Sequence, residues 1–325
     1  MLVSPRLLYK HCYGRYAIPA VNVFTMEQVL ALFAAAQEAA APILVQLTPA
    51  ARNYASPLML QAMLQGAAKL YPEVLYAIHL DHGNEAHALA AIEQGYTSVM
   101  IDASHDPFDI NCERTRSVVE KAHPHGIVVE AELGVLSGVE DDLSVEEKDA
   151  LYTNPEQAAL FVARTGCDSL AIAVGTSHGA YKFSGGKGIQ FSILEKIQAA
   201  LPGFPLVLHG SSCVDPAVVA AINAHGGKLK PDASGVRDEE LQKAIRLGIC
   251  KVNIATDLRL LWTRDHRQFF SNQPDLIDPV VPGKIYMQSY REFMLNRFAV
   301  MGAAGQSKEL QPLVTDLQQV IIGAE

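Results

Sequence analysis

The sequence predicts an α/β fold, a single (β/α)8 TIM barrel with helical arms at its C-terminal end. Eight short apolar runs alternate with longer helical patterns, and polar residues follow seven of those runs. Alternating strands and helices form parallel sheets with right-handed crossovers, and eight such units suit one closed barrel. An open doubly wound sheet is the alternative, but no Gly-x-Gly-x-x-Gly follows the first run.

The eight predicted strands are rich in β-branched residues and occupy residues 17–22, 43–48, 74–80, 98–102, 127–132, 169–175, 205–210 and 250–255. Helical segments between them end at stop signals, as where Gly95 follows residues 86–94. A capping-box pattern predicts another helix start at Ser144. Residues after about 257 are predicted to form the last barrel helix and C-terminal arms of one domain spanning 1–325.

Composition argues against several classes of partner and location. A net charge of -9 argues against nucleic acid or an anionic membrane as the main partner. The five cysteines include no Cys-x-x-Cys pair, so neither a disulfide framework nor a cysteine zinc cage is expected. The chain begins without a signal-peptide layout, and no apolar run reaches roughly 18 residues, so we expect a cytoplasmic protein.

Polar residues stand where the predicted strands end, and a barrel brings such ends together at its catalytic face. Three of them are histidines, His82, His178 and His209. Any one alone is more simply a structural histidine, but three imidazoles at matching positions are a standard catalytic zinc set. Asp81 adjoins His82 and suits an acid/base.

Two carboxylates at the same barrel face remain open to interpretation. Glu132 suits an exchanging ligand, a partner that orients a histidine, or a plain ion pair within the barrel. Asp102 suits a second cation or the substrate. The acidic loop around Glu140 is either a lid carrying a base or a solvated turn, and its pattern alone favours the turn.

Two loops have the small residues that let backbone N–H groups approach phosphate, Gly210-Ser211-Ser212 and Asn253-Ile254-Ala255-Thr256. They follow the seventh and eighth strands, where barrels often bind phosphate. Gly179 and Lys182 extend this predicted cradle, and Asn22 ends the first strand as a further substrate contact. Taken alone, each loop is more simply an ordinary turn.

Six motifs in order resemble the class II, zinc-dependent fructose-bisphosphate aldolases, in particular their shorter bacterial subgroup. They are His-Leu-Asp-His-Gly at 79–83, Met-Ile-Asp-Ala-Ser at 100–104, Glu-Ala-Glu-Leu-Gly at 130–134, Gly-Thr-Ser-His-Gly at 175–179, Leu-His-Gly-Ser-Ser at 208–212, and Lys-Val-Asn-Ile-Ala-Thr-Asp at 251–257.

The resemblance implies reversible cleavage of fructose 1,6-bisphosphate to dihydroxyacetone phosphate and glyceraldehyde 3-phosphate through a zinc-stabilised enediolate, as in glycolysis and gluconeogenesis. It implies that Asp81 is the acid/base at the C4 hydroxyl and that Glu140 shuttles the proton at C1. It implies that the three histidines are the zinc ligands and that Glu132 is an exchanging or second-site ligand. The cradle it implies for the triose phosphate is Gly179, Lys182, Gly210, Ser211, Ser212, Asn253 and Thr256, with Na⁺ or K⁺ nearby.

The motifs leave the distal phosphate without assigned ligands, because Thr48 and Val280 stand where many relatives carry serine and arginine. Arg259 and Arg291 are the candidates, the latter reaching a neighbouring subunit in a homo-oligomer, a dimer or tetramer. A Schiff-base mechanism would need a desolvated strand lysine, and only Lys251 offers one.

Three other functions remain as alternatives. A tagatose 1,6-bisphosphate aldolase would use the same triose-phosphate motifs, and only length and the C-terminal extension favour fructose. A metal-dependent hydrolase on the same barrel would have little need of two phosphate loops. A non-catalytic sugar-phosphate-binding barrel would have no need of Asp81 and Glu140.

Overall fold

A computed structural model describes residues 1–140, 143–145, 151–179, 188–230 and 235–314, and for residues 139, 140, 143–145 and 178 it describes the backbone alone. The strands in chain order are β1 (Ile18–Asn22), β2 (Ile43–Leu47), β3 (Tyr76–Gly83), β4 (Ser98–Ile101), β5 (Val128–Leu133), β6 (Ser137–Glu140), β7 (Leu143–Val145), β8 (Ser169–Ile172), β9 (Ser177–His178), β10 (Leu206–Leu208) and β11 (Ile249–Ile254).

The helices are α1 (Pro5–Cys12), α2 (Met26–Ala39), α3 (Pro49–Ala55), α4 (Pro57–Leu70), α5 (Glu85–Glu93), α6 (Phe108–Ala122), α7 (Pro155–Thr165), α8 (Phe191–Ala200), α9 (Pro216–Ala224), α10 (Asp238–Arg246), α11 (Thr256–Asn272), α12 (Val280–Val300) and α13 (Gln306–Leu310). Short 3₁₀ helices cover His123–His125 and Gln311–Leu313. Within the described part of the chain, no helix is long and apolar enough to cross a bilayer.

Eight parallel strands close into a barrel in the order β1-β11-β10-β8-β5-β4-β3-β2, which confirms the predicted (β/α)8 fold and excludes the open sheet. Each of the eight predicted apolar runs overlaps a barrel strand. Their helices begin and end where local chemistry dictates. Asn84 Oδ1 caps α5 by accepting from His87 N (3.0 Å), and Gly95 follows that helix with φ +74°.

The third strand departs from the prediction in a way that matters for the site. It extends through His82 to Gly83, and its pairing with β4 shifts from Leu80↔Val99 to Gly83↔Ile101. Three residue steps on β3 therefore oppose two on β4, which is a β-bulge. His82 takes a φ of +49°, a conformation that is costly for a non-glycine residue and clusters at functional sites.

A separate sheet has the order β7-β6-β9, with β6 antiparallel to β7 and parallel to β9. The helix start predicted at Ser144 is therefore wrong, because Leu143–Val145 pairs with β6 as a strand. At the C-terminal end, α12 lies against α2 and α11. Gln28 Nε2 donates to Tyr286 Oη at 3.0 Å across the contact between α2 and α12.

Candidate active site

The bulged end of β3 presents His82 to His209, which follows β10. Their rings meet edge to face with centroids 4.7 Å apart, and His82 Nε2 lies 2.9 Å from His209 Nδ1. The outer nitrogens each face a carboxylate. His82 Nδ1 is 2.8 Å from Asp102 Oδ2, and His209 Nε2 is 3.0 Å from Glu130 Oε1.

These carboxylates assign the tautomers, because each carboxylate oxygen accepts the proton of the outer nitrogen. With its Nε2 protonated, His209 turns the lone pair of Nδ1 toward His82 Nε2 across 2.9 Å. Asn253 Nδ2 lies 3.1 Å from His209 Nδ1, as expected if that nitrogen accepts. A proton on His82 Nε2, or a metal cation in its place, then bridges the two nitrogens. Carboxylate partners on the outer nitrogens are also usual for metal-ligating histidines.

Buried acids surround the same point and account for its electrostatics. Burial lowers the pKa of His82, but the Asp81 and Asp102 carboxylates raise it, so its pKa lies well above the usual value. Burial and the charge of Asp102 raise the pKa of Glu132 well above its ordinary range. Burial raises the pKa of Asp102, but hydrogen bonds from His82 and Ser104 more than offset that effect and leave its pKa low.

Two sets of ligand atoms have the compactness that a metal ion needs. Asp81, His82 and His209 form one set, and His82, Asp102 and Glu132 form the other, with the ligand atoms of each set within 4.8 Å of one another. Glu132 Oε2 is buried and has no hydrogen-bond partner among the described residues. An orphaned carboxylate oxygen beside an imidazole fits a divalent cation. The His178 backbone lies on β9, while its side chain is outside the described part.

Asp81 is fully buried and held by amides on both sides. Asn22 Nδ2 donates to its Oδ2 at 2.8 Å, and Asn253 Nδ2 donates to its Oδ1 at 3.2 Å. Gln46 Nε2 in turn donates to Asn22 Oδ1 at 2.8 Å. This arrangement fixes the carboxylate beside the histidine pair. The role of Gln46 was not predicted from the sequence, although a polar residue inside the apolar β2 could have indicated that its side chain supports the site.

The two predicted phosphate loops lie together at the same rim. Ser211 Oγ donates to the backbone oxygen of Asn253 at 2.7 Å. Asp257 joins the loops a second time, because its carboxylate accepts from the backbone nitrogens of Cys213 (3.0 Å) and Val214 (2.8 Å). Ala255 and Thr256 lead into α11, so the loop ends at the N-terminus of a long helix, where anions bind favourably. Asp257 ends the sixth motif, but no role was predicted for it from the sequence.

Gly210 is required by the close approach of the next segment. Its φ is +60°, and a Cβ there would lie 2.5–2.8 Å from backbone atoms of Ser177. This contact brings the chain that leads to Gly179, itself at φ +81°, alongside the cradle. Lys182 and the acidic residues 141–142 lie outside the described residues, and Glu140 is placed by its backbone on β6.

The two candidate arginines lie at different places. Arg259 is in the first turn of α11, and its guanidinium is 4.9 Å from the ring centroid of Phe24, which follows β1, so it stands at the rim of the site. Arg291 pairs instead with Glu38 near the C-terminal end of α2. That end leads into the start of β2, so within one chain Arg291 lies at the opposite end of the barrel.

Lys251 does not have the surroundings of a Schiff-base lysine. It is fully buried, and its Nζ lies 3.0 Å from Oε1 and 2.9 Å from Oε2 of Glu130. A nucleophilic amine must be deprotonated and reachable by the substrate carbonyl. An ammonium buried against a carboxylate meets neither condition.

Comparison with known proteins finds relatives along almost the whole chain. The family model described as "Fructose-bisphosphate aldolase class-II" matches residues 5–306. The chain is 41% identical to a fructose-bisphosphate aldolase of Thermus caldophilus over 90% of this chain and 95% of that protein. It is 40% identical to one of Giardia intestinalis over 92% and 91%, respectively. The crystal structure of the YdjI aldolase from Escherichia coli K12 superposes with a TM-score of 0.74 at 28% identity, covering 94% of this chain and 100% of that chain.

Proposed function

The chain belongs to the class-II fructose-bisphosphate aldolase family and is a carbon–carbon lyase, and we propose that it reversibly cleaves fructose 1,6-bisphosphate to dihydroxyacetone phosphate and glyceraldehyde 3-phosphate. The observation that carries the proposal is the position of Asp81. Two amides hold this buried carboxylate beside a histidine pair whose inner nitrogens face each other.

The proposed metal is zinc, held by His82, His209 and His178, with Glu132 as an exchanging ligand and Asp102 at a second site. Support comes from the facing ring nitrogens and from the unpartnered oxygen of Glu132. When bound, the ion supplies Lewis-acid stabilisation of the negative charge that develops beside the substrate carbonyl.

The chain's own residues move the protons. In cleavage, Asp81 takes the proton of the C4 hydroxyl as the bond between C3 and C4 breaks, and in condensation it returns that proton. Glu140 delivers and removes the proton at C1 of dihydroxyacetone phosphate. Asn253 is proposed as an amide donor to oxygens near the broken bond, and its contacts with Asp81 and His209 support that role.

Local donors hold the triose phosphate, because the net charge of -9 gives the whole protein no attraction for an anion. The proposed contacts include the backbone and hydroxyl groups of the joined loops, the start of α11 and a monovalent cation. The residues proposed to bind the substrate here are Asn22, Gly179, Lys182, Gly210, Ser211, Ser212, Asn253, Ala255 and Thr256. Arg259 at the rim is the proposed contact for the distal phosphate. We further propose a cytoplasmic homo-oligomer with a role in glycolysis or gluconeogenesis.

A metal-depletion assay on two sugars tests the proposal. The protein is stripped with a strong chelator, reconstituted with zinc or with magnesium as a control, and assayed on fructose and tagatose 1,6-bisphosphates. We expect cleavage to disappear, to return with zinc, and to show the higher kcat/KM for fructose. Equal or inverted kcat/KM values would refute the sugar assignment. Activity that persists in chelator and is lost on borohydride treatment with substrate would indicate a lysine mechanism.

A further inference from the structure

The barrel interior beneath the site contains a charged pair that the proposed mechanism does not use. Glu130 lies on β5 and Lys251 on β11, and β8 and β10 separate these two strands in the barrel. Both side chains are fully buried, and they meet across the interior at 2.9–3.0 Å. The His79 ring also lies beside the pair, with Nδ1 2.8 Å from Ser98 Oγ and Nε2 3.6 Å from Glu130 Oε2.

Stability alone is a weak reason for such a pair. Removing two charges from water costs several kcal/mol for each ion, and apolar residues of similar volume are often as stable or more so. Apolar packing is available inside this barrel, because Met100, Ala171 and Val207 form a buried cluster of their own. Apolar residues in place of the charged pair could pack in the same way. The pair also makes a contact with the candidate active site. Glu130 Oε1, which accepts from Lys251 Nζ, lies next to His209 Nε2.

We propose that Lys251 and Glu130 are positioning residues that set the tautomer and orientation of His209. Lys251 holds the Glu130 carboxylate in place from one side. Glu130 Oε1 then accepts the Nε2 proton of His209, so that Nδ1 faces His82 Nε2 with its lone pair. The inference rests on the proposed metal site, and it assigns Lys251 a part in metal binding without any contact with metal or substrate.

The same geometry predicts what happens when the pair is changed. Lys251→Met leaves a buried carboxylate without its countercharge and is expected to destabilise the fold. The double substitution Lys251→Met with Glu130→Leu removes both charges together and is expected to fold at least as stably as the single variant. It also removes the acceptor for His209 Nε2. Loss of such an outer partner typically weakens metal affinity by roughly 10- to 100-fold.

The experiment compares wild type, Lys251→Met, the double variant and the surface control Lys243→Met. Zinc affinity is measured on chelator-stripped protein by competition with a fluorescent chelator. The His209 tautomer is read in metal-free protein from imidazole ¹⁵N shifts, assigned by their absence in His209→Asn. We expect protonated Nε2 in wild type and control, and in the double variant a mixed tautomer with zinc affinity lowered roughly 10- to 100-fold.

Two results would overturn the inference: a double variant with wild-type zinc affinity and tautomer, or a wild-type His209 protonated on Nδ1. The first would mean that the pair is only structural. Failure of the proposed function looks different, because the wild type would then bind zinc without cleaving the sugar. The tautomer measurement needs neither zinc nor substrate, so it separates the two cases.

Discussion

Asp81→Asn is the substitution that tests the proposed chemistry most directly, because it keeps the shape of the side chain and removes its ability to take a proton. General acid–base catalysis contributes about 10²- to 10⁴-fold. At about 1.4 kcal/mol for each factor of ten, the expected rise in the barrier is about 3–6 kcal/mol. We therefore expect kcat to fall by about 10²- to 10⁴-fold.

The contacts of Asp81 also set the expected effect on stability. Both oxygens accept from amide nitrogens, of Asn22 at 2.8 Å and of Asn253 at 3.2 Å. An asparagine offers one oxygen and one NH₂, so one of these contacts becomes donor against donor. An unsatisfied buried group costs about 1–3 kcal/mol. The melting temperature should fall by a few degrees while the protein stays folded.

The assay measures kcat for cleavage of fructose 1,6-bisphosphate, bound zinc by elemental analysis, and thermal unfolding. Asp109→Asn is the matched control, because Asp109 is exposed and pairs only with Arg164 among the contacts described. We expect full zinc occupancy in both variants and normal turnover in the control. Turnover of Asp81→Asn within about threefold of wild type, at full zinc occupancy, would remove Asp81 from the role of acid/base.

Two further predictions concern the cradle and the proton shuttle. Gly210→Ala should lower stability by more than about 1 kcal/mol and raise KM for dihydroxyacetone phosphate, because a Cβ would strike the Ser177 backbone at a φ of +60°. Gly203→Ala, at φ +77° with nothing within 4 Å, carries the same backbone strain without the collision, and equal losses in the two variants would contradict the reasoning. Glu140→Gln should slow exchange of the C1 proton of dihydroxyacetone phosphate with solvent, measured by NMR in deuterated water. Unchanged exchange would assign the shuttle to another residue.

The barrel was predictable because its signals are local. Short apolar runs rich in β-branched residues mark each strand, and their alternation with helical segments leaves few topologies. The bulge at His82 was not predictable, because it depends on how β3 registers against β4. The helix predicted at Ser144 failed for a similar reason, since pairing with β6 decides that segment.

In the site too, the features set by local sequence were predictable, and those set by contacts between distant strands were not. The meeting of Asp81, His82 and His209 follows from their positions at strand ends, which any parallel barrel brings to one face. Support from Gln46 and from Lys251 with Glu130 depends on which interior side chains cross the barrel at the same height. That height is set by the stagger between neighbouring strands, which cannot be inferred from the residue spacing within one strand. The position of Arg291 depends on how the helices pack, and its partner Glu38 is remote in sequence.

The pairing of β6 with β9 has a consequence for turnover. Ser137 lies opposite Ser177, and Gly138 lies opposite His178, so the backbone leading to Glu140 and the backbone carrying His178 form one hydrogen-bonded ribbon. A displacement of that ribbon moves both residues at once. With the proposed roles of His178 at the ion and Glu140 at the substrate, such a displacement would loosen the hold on the ion and the contact with the triose together, and the rate of metal exchange is expected to rise and fall with the rate of product release.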